Sequence, residues 1–431
     1  MGNLMKLKII TGKGIVILAV FILVLAALSA CSDSLKGKDA FITINLNNSP
    51  NARFAAWDHI DDNWDIQIVN EILSYAEYHV TLKSSNDTQT HVIKNATAAR
   101  FQVTTGIWQV SVSVLCEEMQ FARSKPVSID VKAGDDNIVP LTMEQGDFIF
   151  YAVKDAYEFE SALSFASTTA IVPKGFVIML TDNFSMEFCE ISGDWFSSPI
   201  TIIGNDRIIT YEDNSDLGSL FYICDGADVT IIDLRLKGLG ILDNDLDLNF
   251  ALVIVEDAKF TMNGNSSISN SKCDSAGGGV GVDTGGEFIM NDGSITGNRA
   301  GTSGGGVFIN GEGKFTMNGG TISTNNAISY GGGVYIETDG IFIMNGGTIA
   351  GNNAAVSGGG VYINSVSEFT MTGGTIYGSN ETNASLRNSK SAIGGEGDAL
   401  YVSSVNATAI IGGESAVTTD NTIRVINGKR Q

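Results

Sequence analysis

Four stretches of the chain are nearly the same words, repeated at one fixed step. GGGV begins at Gly277, Gly304, Gly331 and Gly358, so Val280, Val307, Val334 and Val361 stand 27 residues apart. A second word, EFIMNDG, KFTMNGG, IFIMNGG and EFTMTGG, carries Met290, Met317, Met344 and Met371 at the same step. A third carries Ile295, Ile322, Ile349 and Ile376. Self-similarity of this kind means one structural unit stacked on copies of itself. Within each unit the apolar residues alternate, Val334 with Ile336 and Phe342 with Met344, which is a strand signal. The repeat leaves no room for a helix, and its glycine content argues against one. Identical strands stack most simply as parallel neighbours about 4.8 Å apart, and parallel crossovers are almost always right-handed. The expected fold is all-β: a right-handed parallel β-helix whose coil contains three short strands.

The columns of the repeat separate inside from outside. Phe288, Phe315, Phe342 and Phe369 never vary, whereas Ile289, Thr316, Ile343 and Thr370 do. The Phe and Met columns therefore read as stacked core. Asn263, Asn291, Asn318 and Asn345 follow the Met column and read as an amide ladder joining one coil to the next. Weaker coils flank the clear ones at Phe221–Ile232 and Ala251–Met262, and Ser198–Gly204 repeats a strand word. Ala399–Val402 resembles a last V-Y-I word, but it sits 39 residues after its predecessor. A loop around 379–395 is expected to bulge from the stack.

The wording G-G-G-V-Y-I…F-T-M-N-G-G-T-I…G-N-N-A resembles repetitive surface lipoproteins and polymorphic outer-membrane repeat proteins of bacteria. More broadly it is similar to the pectin-lyase-like β-helix superfamily. The close likeness covers roughly residues 251–376, and the looser pattern reaches back to about residue 171. Leucine-rich repeats need L-x-x-L-x-L, and calcium-binding rolls need G-G-x-G-x-D at nine-residue steps; both are absent.

Residues 1–30 read as an address. Lys6, Lys8 and Lys13 precede the apolar run Gly14–Ala30, which is short for a membrane-spanning helix. The run ends Leu28-Ser29-Ala30-Cys31, which resembles the bacterial lipobox. That resemblance implies a lipidated Cys31 at a mature N-terminus, a membrane partner through the lipid, and an outer-membrane or cell-surface location, toward which Ser32 leans. A signal anchor or an ordinary cleaved signal is the other reading. Residues 31–39 form a tether. Residues 40–145 lack the repeat and alternate as strands, resembling a small prealbumin-like or immunoglobulin-like β-sandwich with Gly106 at a turn. Residues 146–170 hold helical spacing at Ala156, Phe159, Leu163 and Ala166 and read as a helix capping the open end of the β-helix. The β-helix itself is expected over 171–426.

A net charge of −22, more negative still without the three signal lysines, excludes nucleic acid and anionic lipid as direct partners. It also disfavours polyanionic sugars unless calcium bridges them. No cofactor is indicated. Cys116, Cys189, Cys224 and Cys273 lack metal spacing; Cys189 and Cys224 could pair on neighbouring coils or remain buried thiols. His59, His79 and His91 are widely spaced and read as ordinary positions.

Three features bear on function. Tyr335 lies between inward-facing Val334 and Ile336 and so faces out. Phe308 and Tyr362 share its column, Tyr222 and Tyr401 extend it, and Gly281 interrupts it. Exposed rings at this step could stack on sugars or anchor a protein; alternatively they stack on one another and cover the sheet. The string Asp243, Asp245 and Asp247 suits hard oxygen coordination, but it lacks the glycine and closing glutamate of an EF-hand, and a solvated acidic loop is the plainer reading. Carboxylates such as Asp283, Glu287, Glu312, Glu337 and Glu368 are scattered, with no recognisable glycosidase pair. The sequence thus points to a surface-anchored, non-catalytic module that binds glycans or surface partners. A polysaccharide lyase or glycoside hydrolase with its site in loops 238–250 or 379–395, and a structural spacer, are the alternatives.

Overall fold

The computed structural model describes residues 40–45, 76–94, 98–116, 118–134, 136–141, 143–145, 147–168, 174–196, 198–212, 218–240, 250–364, 366–391, 397–403, 406–416, 418–419, 421, 423–426 and 429–431. Cys31, His59 and the Asp243, Asp245 and Asp247 string lie outside the described residues, as do the address and tether. Among the described residues no helix is long and apolar enough to cross a membrane.

The chain forms two units. The first is a small β-domain of two sheets. Ala40–Asn45 lies between antiparallel Ala98–Val103 and parallel Asp136–Val139. The second sheet is built around Gly106–Cys116, which pairs with Glu77–Lys83 and Val127–Val131. Alternation in these strands places Val80, Leu82, Trp108, Val110 and Val112 in a buried core. Gly106, anticipated at a turn, is the first residue of the central strand, paired with Val131 and at φ 130°.

The second unit is the parallel β-helix. Its three long faces are an eleven-stranded sheet carrying the F-x-M words, a ten-stranded sheet carrying the T-I words, and an eight-stranded sheet carrying the V-Y-I words. Registry between clear repeats is residue for residue: Phe315 with Phe342, Ile322 with Ile349, Val307 with Val334. The invariant Phe and Met columns are fully buried. Phe288, Phe315, Phe342 and Phe369 stack face to face with ring centroids 4.8–5.0 Å apart, so each ring covers its neighbour's faces.

Two expectations need correction. The coil has a fourth strand, two residues long, at Arg299–Ala300, Asn326–Ala327 and Asn353–Ala354, with Lys272–Cys273 and Ser389–Lys390 at its ends. Two residues are too few to show alternation, so the word did not register as a strand. The β-helix also begins earlier than residue 171. Ile149–Val153 is already a rung, parallel to Phe176–Leu180, and the helix α1 (Ala156–Thr168) follows it. Asp155 caps α1 by accepting from the Glu158 N–H at 2.9 Å. Phe159, Leu163 and Ala166 of α1 are buried in the solenoid core, with Phe159 stacked on Phe221. The helix thus lies after the first rung, inside the span 146–170 expected to be a cap, and packs its apolar side into the core of the first coils. At the other end, Ile423–Ile426 runs antiparallel to Gly374–Ile376 and stops parallel growth. The expected bulge divides in two. Asn388 follows its counterpart Asn352 by 36 positions, and Leu400 follows Val361 by 39, so most of the extra chain precedes Asn388.

Two amide ladders run along the stack. The expected one is exposed: Asn291 donates to Asn263 at 2.8 Å, Asn318 to Asn291 at 2.7 Å and Asn345 to Asn318 at 2.9 Å. The second is buried. Asn298, Asn325, Asn352 and Asn388 stand just before the fourth strand, none more than 1 % exposed. The Asn325 amide donates to Ile295 O at 2.9 Å and Asn352 Oδ1 at 3.0 Å, while its Oδ1 accepts both the backbone and side-chain N–H of Asn298. Its bonding capacity is nearly filled inside the core. Replacing Asn325 with alanine orphans several buried groups and should cost about 3–5 kcal/mol, at roughly 1–3 kcal/mol per unsatisfied group. Asn318→Ala on the exposed ladder should cost about 0.5 kcal/mol. Denaturant unfolding of the two variants checks the contrast; equal losses would refute it.

Candidate functional site

The V-Y-I face carries two outward columns. In register from coil to coil, the first reads Tyr222, Ile254, Gly281, Phe308, Tyr335, Tyr362, Tyr401. Two residues further along, from Ile254 onward, the same registry gives Glu256, Asp283, Asn310, Glu337, Asn364 and Ser403. Alternation along a strand sends both columns away from the core.

The aromatic column does point outward, but it is not an exposed strip. Tyr335 is 6 % exposed and Tyr362 8 %. Ring centroids lie 5.7 Å apart for Phe308–Tyr335, 5.1 Å for Tyr335–Tyr362 and 4.8 Å for Tyr362–Tyr401. The coil step nearly equals the spacing of stacked rings, so each ring hides its neighbours. Tyr330, from the turn before Gly331, packs on Tyr335 and Tyr362 from one side. Asn364 donates to the Tyr335 hydroxyl at 3.0 Å, and Ser403 donates to Asn364 at 3.2 Å. For Tyr335 and Tyr362 the self-stacking reading holds: rings at this step cover one another.

The column ends in a gap. Phe308 is half-buried, and at the next rung Gly281 supplies no side chain. Beyond it stands Ile254. Gly281 differs from the repeat glycines beside it. A Cβ on Gly305 would lie 2.5 Å from the carbonyl oxygen of Gly332, so that glycine is imposed by close backbone approach. A Cβ on Gly281 would find its nearest neighbour, Ala251 Cβ, at 3.5 Å, an ordinary contact. Neither backbone angle nor packing demands glycine there. The missing side chain opens a groove of about 480 Å³ walled by Phe250, Phe308, Tyr330 and Tyr335. Phe250 on the rim is 50 % exposed.

Asp283 and Glu337 line the same groove, and no Lys, Arg or His does among the described residues. Burial, and then the charge of Glu256, hold the Asp283 carboxyl above the usual range, opposed by a hydrogen bond from Asn310 at 3.5 Å. Burial followed by the charge of Asp283 does the same for Glu337. These two acids looked scattered along the sequence. The coil places them on one face because both stand six residues after the start of a GGGV word, a signal that the repeat alignment already carried. Neither loop 238–250 nor loop 379–395 supplies them, although Phe250 closes the first.

Elsewhere, Glu190, Cys224 and Asp225 have atoms within 4.8 Å of one another. Burial and the Asp225 carboxylate push the Cys224 thiol up to about 12, so it is a neutral donor, 3.2 Å from Asp225. Ser192 also donates to Asp225, at 2.9 Å. The group is thus a closed hydrogen-bond cluster. Cys189 and Cys224 lie on adjacent coils but out of register, Cys189 opposite Phe221 and Cys224 opposite Ser192; both are buried thiols with no bond between them. His79 contacts Glu77 at 3.3 Å and His91 contacts Gln89 at 3.3 Å, ordinary strand neighbours.

The raised carboxylates imply a linkage that can be measured. An acid whose folded-state pKa is raised destabilises the fold above that pKa and ceases to do so below its unfolded value. Asp283→Asn and Glu337→Gln should therefore raise the melting temperature at pH 7, and the gain should vanish below about pH 4, where both states are protonated. A gain independent of pH, or a loss at pH 7, would show that these acids do not oppose folding. No family model, curated protein or solved structure matches the chain.

Proposed function

We propose that the chain is a lipid-anchored bacterial surface protein, of the repetitive lipoprotein kind its wording resembles, that binds glycans without transforming them. The groove at Gly281 carries this reading. Sugar recognition needs an apolar ring face to lie on and polar groups at its edge to take hydroxyl hydrogen bonds. Phe308 has one face stacked on Tyr335 and, among the described residues, no ring on the other. A pyranose entering the vacant rung would lie about 4.8 Å from Phe308, the coil spacing, with Asp283 and Glu337 as hydroxyl acceptors. The β-helix walls are held by stacked core and ladders, so little ordering accompanies binding. The lipid on Cys31 would keep this flank outside the cell, on a membrane it touches through the acyl chains.

Filling the rung tests the site. Gly281→Tyr should extend the aromatic stack, leave melting unchanged or raised, and reduce glycan binding at least about tenfold, the worth of one or two ring contacts. The measurement is a glycan array with the full chain in detergent, wild type beside variant. Equal binding by a folded variant would move the site elsewhere.

The anchor is tested separately. Cys31→Ser should abolish labelling by an alkyne fatty acid and leave an unprocessed precursor. A labelled variant would place the lipid elsewhere; unlabelled wild type would remove the anchor reading.

One observation favours hydrolysis as a second reading. Asp283 and Glu337 stand two coils apart on one column, about 9.6 Å by strand spacing, close to the separation of paired acids in inverting glycosidases. Slow turnover of a bound oligosaccharide, lost in both Asp283→Asn and Glu337→Gln, would establish it.

A further inference from the structure

The groove's charge and its aromatic walls together narrow the ligand. Neutral sugars are usually met by amides, hydroxyls and mixed charges. Here two carboxylates line the site, and no basic side chain accompanies them among the described residues. The chain as a whole is strongly acidic, at −22. Phe308, Phe250 and Tyr330 add aromatic rings to the lining, and the negative quadrupole of a ring face such as that of Phe308 attracts cations. Resting on the glycan-binding reading above, we infer that the groove selects a sugar bearing a free, protonated amine, a hexosamine unit of an amine-containing polysaccharide.

The parts fit one another. The pyranose face fills the rung that Gly281 leaves empty against Phe308. Its ammonium group lies at the column of Asp283 and Glu337, two residues further along the strands. A uronate or sulphated sugar would bring like charge to the same place and be rejected. An N-acetylated unit would lose the charge and bring a bulkier amide to a slot one rung thick. A divalent cation fits less well: Asp283 and Glu337 do not belong to any described cluster of three ligands within 4.8 Å. Burial holds both carboxyls above their usual range, and a cationic guest offsets that desolvation by pairing with the charged form.

The full chain in detergent is titrated calorimetrically with three hexamers: β-1,4-linked glucosamine, its N-acetylated form, and cellohexaose. Trilysine serves as a cationic control without a sugar. The glucosamine hexamer should bind about tenfold more tightly than the other two, the size of a cation–π and ion-pair contribution in a half-buried site. Its advantage should shrink as salt is raised. In the Asp283→Asn, Glu337→Gln double variant the preference should collapse to within about twofold. Equal affinity for the three hexamers, all lost in Gly281→Tyr, would overturn the amine inference and leave the glycan site standing. Trilysine binding as tightly as the glucosamine hexamer would overturn it in favour of a basic protein partner. Binding of none of them by a folded protein would overturn the inference and the site together.

Discussion

Everything in the β-helix follows from in-register parallel stacking. Each coil hydrogen-bonds to the next residue for residue, as Val307 to Val334 and Val334 to Val361. A side chain therefore meets its own copy one rung away. That condition selects residues that tolerate self-contact at about 4.8 Å: flat rings that stack, amides that donate to and accept from one another, and small residues where the chain turns. Charges must alternate or leave. On the outer F-x-M face Lys259 meets Asp228 at 3.2 Å, and Lys314 meets Glu287 at 2.9 Å. These are surface pairs of small energetic weight, but they avoid the repulsion that a uniform column would impose.

The same rule makes irregularities informative. A column that repeats faithfully is explained by its neighbours; a column that breaks needs another cause. The aromatic column breaks at Gly281, where no backbone constraint asks for glycine. The adjoining column puts Asp283 and Glu337 on either side of Asn310, and burial holds both carboxyls above their usual range. Perturbed carboxyls cluster at functional sites, although structural networks shift them as well. The gap, the ring face of Phe308 and the unbalanced carboxylates all fall in one groove.

The two asparagine ladders show how burial changes the meaning of one residue type. Asn318 and Asn325 make similar coil-to-coil bonds. The first is exposed and exchanges with water. The second is sealed in the core, where its amide also satisfies the carbonyl of Ile295. Its removal strands partners that no solvent can reach.

The sequence by itself determined the coil length, the inward Phe and Met columns, the outer amide ladder, the apolar face of the helix at Ala156–Thr168 and the direction in which Tyr335 points. Each of these is a periodic property, and periodicity survives in one dimension. It could not show the two-residue strand at Asn326–Ala327, because that word is shorter than any alternation. Nor could it show that Tyr335 and Tyr362 are covered, since exposure depends on how closely coils approach and on Tyr330 folding over from a turn. The groove was legible only as an interruption at Gly281. Its carboxylate wall came from residues 54 positions apart, Asp283 and Glu337. Winding the chain into coils converted that separation into two rungs, and only the tertiary structure placed Phe250 and Tyr330 around the opening.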